Sequence, residues 1–306
     1  MGRRPAPLAF RVRAYEEVRR LVGKGVTDHV AIRRELARSG FYLPSRMTIS
    51  RWAAGKTSPT SGVRLFVPTP SEGLSFFLGA WLGDGWADEN DGGKRMLLKV
   101  RSYDFAKEFA DSSARILGKT DSYWVRRVVD KRGRWYLVKV TSEMLYEFAT
   151  RPVRDLFPTI DQFPRGFLRG LFTAEGSPSV SIEDRHLPYL GVGVVVANSD
   201  CELLNYARGL LLNLGFRPGR MRLNTAVGDI TSVGTARKAV MVFSLSRAEE
   251  VRRFVTEIGF ADPEKQGKLT EAILLLDAFG RNDAVREWVR RYYKPGRKWV
   301  KKSDNG

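Results

Sequence analysis

One pattern occurs twice in the chain and constrains it more than any other feature. FFLGAWLGDGW (76–86) and FLRGLFTAEGS (167–177) each read as a glycine, four further residues, an acid and a second glycine. In the first these are Gly79, Asp84 and Gly85; in the second, Gly170, Glu175 and Gly176. Both stretches are apolar enough for a buried helix, and both end on a carboxylate. Small residues stud them: Gly79, Ala80 and Gly83 in one, Gly170 and Ala174 in the other. Small residues let two helix backbones approach closely. Helices packed side by side through such faces bring Asp84 and Glu175 out as neighbours at their C-terminal ends.

The segments after each pattern repeat as well. WADEN and KRMLLKVRS read as strands around DGG, DFAKEFADSSARILG as a helix, YWVRRVVD and RWYLVKVTS as a hairpin, and SEMLYEFAT as a closing helix. After the second pattern come strands PSVSIED and LGVGVVVANS, the helix DCELLNYARGLLLNLG, strands near GRMRLNT and KAVMVFSLS, and the helix RAEEVRRFVTEIG. The order is helix–strand–strand–helix–strand–strand–helix, twice. The expected class is therefore α+β: a pseudo-twofold pair of αββαββα repeats with antiparallel, saddle-like sheets. We place the halves at 75–160 and 161–262.

Period-2 alternation gives the sheets two unlike faces. In the strand at 95–101, Met96, Leu98 and Val100 point one way, and Arg95, Leu97, Lys99 and Arg101 the other. In the return strand Tyr136, Val138 and Val140 point inward, and Trp135, Lys139 and Thr141 outward. In the second half Arg220, Arg222 and Asn224 share a face. A sheet that lies on a phosphate backbone needs such a face, although any half-exposed sheet turns polar residues out.

Before the repeat, residues 1–62 read as three short helices. RAYEEVRRLVG stops at Gly23 and Gly25; VTDHVAIRRELARSG is capped by Thr27 or Asp28 and stopped by Gly40; SRMTISRWAAG is capped by Ser45 and stopped by Gly55. Ile49 and Trp52 face inward. Together they make a helix-turn-helix pattern, in which the last helix enters the major groove. Its exposed side offers Arg46, Thr48, Ser50, Arg51 and Lys56 to DNA. A linker follows at 63–74. After the repeat, 263–306 holds two helices and a basic tail, expected to be loose beyond Trp299.

Charge supports a polyanionic partner. The net charge is +18, and it is uneven: +10 over 1–70, +7 over 281–302 and +2 over 71–280. The ends thus supply most of the attraction, and the middle reads its partner by geometry. The single Cys201 excludes an internal disulfide framework or a multi-cysteine zinc site, and His29 and His186 are too few for a histidine-rich metal site. We see no run of about 18 uncharged apolar residues and no signal peptide, so a cytoplasmic location is expected.

The paired acids then suggest a chemistry. Two adjacent carboxylates repel, and a helix C-terminus is the wrong end for an anion. A divalent cation resolves both problems. Mg²⁺ is hard, takes oxygen ligands, and uses one or two carboxylates plus substrate phosphate. Such ions can activate water and stabilise the leaving oxygen of a phosphodiester displacement. The bland alternative for either acid alone is a helix cap or a surface ion pair. Its recurrence at matched positions of a repeat weighs against that.

FLGAWLGDG and LRGLFTAEG resemble the two signature helices of the LAGLIDADG homing endonucleases, in the single-chain form with both motifs, over about residues 75–260. The resemblance implies that Asp84 and Glu175 are metal-binding catalytic acids, with the carbonyls of Gly83 and Ala174 as further ligands. It implies Mg²⁺ as cofactor, replaceable by Mn²⁺, with Ca²⁺ binding without turnover. It implies double-stranded DNA with a long target site, sheets in the major groove, and cuts across the minor groove that leave short 3′ overhangs. A monomer is expected, since both motifs lie in one chain. Family members often place a lysine or glutamine in each half near the metal. In the first half Lys99 and Arg101 stand there, Arg101 the better match; in the second half Asn198 and Ser199 do, and Pro178 follows Glu175 closely. The alternatives are a non-cleaving DNA-binding regulator and an RNA-binding intron maturase. Intact acids in both motifs favour the enzyme. No Gly-xxxx-Gly-Lys-Ser/Thr loop supports a phosphotransferase. The Met start and the basic tail, without splice-type residues, lean away from an intein and leave an intron-borne or free-standing origin.

Overall fold

Side-chain caps set the second and third helices, while the first starts after Pro7 without one. In the computed structural model the described residues are 6–60, 66–90, 93–183, 187–231, 234–296 and 299–302. Helix α1 spans Leu8–Gly23, α2 His29–Arg38 and α3 Arg46–Ala53. Of the two candidate caps for α2, Asp28 is the one used: its carboxylate accepts from the amides of Val30 and Ala31, each at 3.1 Å. Ser45 caps α3 by accepting from the Thr48 amide at 3.1 Å. Gly40 and Gly55 stop α2 and α3 with φ of 69° and 66°, a region that costs any other residue. Ala14, Val18, Leu21, Ile32, Leu36, Ile49 and Trp52 form one buried cluster. Tyr15 meets the Trp52 ring edge-on at 5.6 Å. Residues 61–65, the last two of the expected helix-turn-helix region and the first three of the expected linker, lie outside the described residues.

The repeat follows in the expected order. The first half runs α4 (Glu72–Asp84), β1 (Gly85–Asn90), β2 (Gly93–Val100), α5 (Tyr103–Ile116), β3 (Val125–Asp130), β4 (Gly133–Thr141) and α6 (Glu143–Ala149). A further helix, α7 (Val153–Ile160), was not expected; Pro158 inside it masks the signal. The second half runs α8 (Pro164–Glu175), β5 (Gly176–Glu183), β6 (Tyr189–Asn198), α9 (Cys201–Asn213), β7 (Arg222–Thr225), β8 (Ile230–Thr231), β9 (Gly234–Thr235), β10 (Val240–Leu245) and α10 (Ala248–Glu257). The two-residue strands β8 and β9 pair as a small extra hairpin. Each half carries a four-stranded sheet, ordered β1-β2-β4-β3 and β5-β6-β10-β7. Pairing is antiparallel in β3–β4, β5–β6, β6–β10 and β7–β10. Asp91 and Gly92 of the first turn lie outside the described residues.

The alternation read from the sequence holds in the first sheet. Met96, Leu98, Val100, Val138 and Val140 are buried, while Lys139 and Thr141 are exposed. Tyr136 is only half-buried, its ring edge against Tyr103 at 5.3 Å.

The C-terminal region departs from expectation in one respect. The two expected helices form α11 (Pro263–Arg291), broken where Gly280 adopts φ 70° and ψ 176°. The tail is not loose directly after Trp299. Strand β12 (Val300–Lys301) pairs antiparallel with β11 (Tyr292–Tyr293), and Lys301 bonds Glu271 at 3.1 Å. The physical reason is an aromatic clasp: Trp288 stacks on Tyr292 at 3.9 Å, and Trp299 meets Trp288 edge-on at 6.1 Å. Residues 297–298 and 303–306 of the tail lie outside the described residues.

Contacts divide the chain into two compact units: 1–68 with 87–96 and 140–150, and 69–86 with 97–139 and 151–306. The first holds the three-helix cluster and several ion pairs, including Lys94–Glu147 at 2.8 Å and Arg11–Glu143. The second holds the motif helices and the whole second sheet. Among the described residues no helix is long and apolar enough to cross a membrane.

Candidate metal centre and nucleic-acid interface

The motif helices α4 and α8 meet backbone to backbone. A Cβ at Gly79 would meet the Phe167 carbonyl and come within 2.8 Å of the Leu171 amide; one at Gly170 would meet the Phe76 carbonyl and come within 2.7 Å of the Ala80 amide. Only glycine fits either position. The contact continues to the helix ends, where a Cβ on Gly83 would stand 2.5 Å from the Ala174 Cβ and 3.3 Å from the Glu175 Cγ. Asp84 and Glu175 therefore emerge side by side, as the small-residue pattern implies.

Their titration reflects that crowding. Asp84 has access to solvent but is hemmed in by the helix pair, and desolvation pushes its carboxyl up to about 6, against the pull of the Lys265 charge. Glu175 is half-buried; desolvation first and the Asp84 charge second push it up to about 7, again opposed by Lys265. Asn198 fixes the Glu175 carboxylate, donating from Nδ2 to Oε1 at 3.0 Å, and is itself held by the Asp200 amide, which donates to its Oδ1 at 2.7 Å. The centre thus offers two hard, mutually repelling oxygen donors that favour any positive charge placed between them. Among the described residues no group of three or more His, Cys, Asp or Glu gathers to hold a metal, at this centre or away from it, so the pair stands as two carboxylates alone.

Lys265 was missed by the sequence reading. Its ammonium donates to the carbonyls of Thr173 at 2.6 Å and Gly176 at 2.7 Å, at the end of α8. No local pattern marks it. It lies outside both motifs, in the first turns of α11, and only the tertiary fold brings it to the acids.

Lys99 and Arg101, expected beside Asp84, engage the β3–β4 hairpin. Lys99 pairs with Asp130 at 2.7 Å and lies 5.1 Å above the Trp135 ring. Arg101 also lies over that ring, 3.9 Å from its centroid, and donates to the Arg132 carbonyl at 2.6 Å. Trp135 donates from Nε1 to Asp130 at 3.0 Å. The Lys99 hydrogen bond, with that of the Arg132 amide, holds the Asp130 carboxyl down to about 2. An aromatic face and a carboxylate thus outcompete the longer reach to the acids.

The remaining candidate DNA contacts fall in two sets. Arg46, Arg51 and Lys56 are exposed along and just after α3; Thr48 and Ser50 are half-buried, with the Thr48 hydroxyl in contact with the cap Ser45 at 2.8 Å. Arg95 faces Asp88 at 3.8 Å. Lys139 and Thr141 are exposed on β4, Arg222 and Asn224 on β7, and Arg220 just before β7.

Residues 162–259 match the family model described as a LAGLIDADG-like domain. An uncharacterized protein of Methanocaldococcus jannaschii is 25% identical over 240 residues, 76% of this chain and 83% of the relative. A second uncharacterized protein of that organism is 27% identical over 150 residues, 48% of this chain and 56% of the relative. Similar solved structures include I-DmoI in complex with DNA and Ca, with TM-score 0.44, 21% identity and coverage of 65% of this chain and 97% of that one. They also include the LAGLIDADG homing endonuclease I-LtrWI bound to target DNA, with TM-score 0.45, 8% identity and coverage of 72% and 96%. The matched segment is the half that ends its first helix on Glu175, so this half carries a LAGLIDADG-like domain, and the half ending its first helix on Asp84 repeats the same element order.

Proposed function

We propose that the chain is a site-specific double-strand DNA endonuclease whose centre is the Asp84–Glu175 pair. One observation carries this reading: two carboxylates from duplicated helices meet where a Cβ on Gly83 would stand 2.5 Å from the Ala174 Cβ, and both titrate far above their ordinary range. Proteins keep such a strained pair chiefly at functional sites.

In this reading Asp84 and Glu175 hold a divalent metal, Mg²⁺ or Mn²⁺ for turnover, with the carbonyls of Gly83 and Ala174 completing the ligand set. The bound metal supplies activation of water and stabilisation of the leaving oxygen. The residues around it position and orient. Asn198 fixes the rotamer of Glu175 through its hydrogen bond. The glycine contacts between α4 and α8 hold the acids at a fixed separation. Arg95, Lys99, Arg101, Trp135, Lys139 and Thr141 in the first half, with Arg220, Arg222 and Asn224 in the second, contact the duplex. A helix-turn-helix at 1–62, presenting Arg46, Thr48, Ser50, Arg51 and Lys56, adds affinity for the same DNA. The product carries short 3′ overhangs, and one chain acts as a monomer because it contains both acids.

The test is to incubate the protein with Mg²⁺ and a randomised DNA library and to sequence the new ends. Specific double-strand cuts are expected, lost in Asp84→Asn and Glu175→Gln while gel-shift binding persists. Cleavage retained in both variants would sink the metal assignment. Tight binding without cleavage by the native protein would favour the non-cleaving regulator, and preference for intron RNA the maturase.

A further inference from the structure

Lys265 reaches the acids from a part of the chain that the duplicated motif does not include. Its ammonium donates to the carbonyls of Thr173 and Gly176, which bracket Ala174 and Glu175. The last carbonyls of a helix have no partner within it, and they form its negative end. Here two carboxylates crowd that same end. Lys265 is the cation whose charge acts on both.

The lysine is also built in. The segment before α11 is tied to α8: the Ala261 amide donates to the Thr173 hydroxyl at 2.8 Å, and the Arg169 guanidinium to the Ile258 carbonyl at 3.4 Å. Gln266, next in sequence, closes the turn by accepting from the Phe260 amide at 2.8 Å and donating to the Val255 carbonyl at 3.1 Å. Asp262 caps the helix, accepting from the Glu264 amide at 2.9 Å. The second half meanwhile has Pro178 and Asn198 after Glu175, neither of which carries charge.

We infer that Lys265 is the positioning cation of the centre: it holds the C-terminal turn of α8 and offsets the mutual repulsion of Asp84 and Glu175 until a divalent metal binds. The inference rests on the reading of those acids as a shared metal site. A lysine that only capped a helix would stabilise the protein equally with and without metal. A lysine that offsets the acids' charge does not, because Mg²⁺ takes over that task.

Four proteins distinguish these roles: the native chain, Lys265→Met, Lys265→Arg and Lys268→Met. Lys268 is the control, a lysine of the same helix that donates to the Trp299 carbonyl at 2.8 Å. The apparent unfolding temperature is measured at pH 8 in a chelator and in saturating Mg²⁺. Lys265→Met is expected to unfold on the order of 5 °C lower in chelator, with at least half of that deficit removed by Mg²⁺. Lys265→Arg recovers most of it, and Lys268→Met shows the same deficit in both buffers. By linkage, calorimetry finds Mg²⁺ bound about fivefold tighter by Lys265→Met than by the native chain. A Lys265→Met deficit that Mg²⁺ leaves unchanged, or no deficit, overturns the inference alone. A native chain that Mg²⁺ neither stabilises nor binds overturns the metal reading and the inference together.

Discussion

Gly83 lies against Ala174, so the residue before one acid touches the residue before the other: a Cβ on Gly83 would stand 2.5 Å from the Ala174 Cβ. The separation of Asp84 and Glu175 is thus set by backbone packing and not by side-chain choice. The glycines further up the helices hold the contact in place.

That packing makes Gly170→Ala and Gly79→Ala severely destabilising. The new methyl would meet backbone atoms of the facing helix, which cannot step aside as a flexible side chain could. Each is expected to cost about 3 kcal/mol or more. Gly209, inside α9 with open space around it, behaves oppositely. Gly209→Ala should stabilise by about 0.5–1 kcal/mol, since glycine is the poorer helix former. Urea midpoints measure all three; equal effects at positions 170 and 209 would disprove the close approach.

The acids also give the metal-free protein a characteristic pH dependence. Their ordinary values are 3.8 and 4.5, and the fold raises them to about 6 and about 7. The folded state therefore holds protons more tightly than the unfolded chain between those limits. Stability from this pair is full below about pH 4 and falls as pH rises to about 7. Allowing for the solvent access of Asp84, the loss is on the order of 2 kcal/mol for the pair. Asp84→Asn and Glu175→Gln should flatten the fall, and Mg²⁺ should reverse it. Thermal melts in a chelator at pH 5 and pH 8 check this; a native protein more stable at pH 8 by the same margin as the variants would refute it.

Much of this was legible in the sequence because the signals were local or repeated. Asp28, Ser45, Gly40 and Gly55 mark helix ends by their own chemistry. The alternation around Met96, Leu98 and Val100 marks a two-faced strand. Duplication turned two ambiguous acids into a pair. What escaped notice depends on distant partners. Lys265 is an ordinary helix lysine until the fold carries it to Thr173 and Gly176. Arg101 has the right strand position, but Trp135 and the Arg132 carbonyl, which pair only across the hairpin, capture it. The tail beyond Trp299 looked unstructured because its order comes from Trp288 and Tyr292, not from any pattern of its own.

Asp130 restrains the first sheet's basic face, which leads to a prediction about non-specific binding. Its carboxylate pairs with Lys99 and accepts from Trp135. Asp130→Asn keeps a polar partner for Trp135 but releases the Lys99 charge to a phosphate. Affinity for arbitrary duplex DNA should rise about fivefold at low salt, and the log–log salt slope should steepen by about one. A gel-shift series in increasing NaCl reads both. An unchanged slope would place Lys99 away from the DNA.

Arg46, Arg51 and Lys56 are exposed along and just after α3, so their substitution separates affinity from chemistry. The triple alanine variant leaves the buried cluster around Ile49 and Trp52 intact and adds good helix formers at 46 and 51. Three fewer phosphate contacts should lower the magnitude of the salt slope by about 2 to 3. DNA affinity should fall on the order of a hundredfold at physiological salt. At saturating DNA the cleavage rate should stay within about twofold, because the acids and Asn198 are untouched and uniform binding energy leaves kcat alone. Single-turnover kinetics across a protein titration measure both quantities. A variant with unchanged affinity would show that the front end does not bind this DNA. One with a reduced maximal rate would show that it acts on the centre as well.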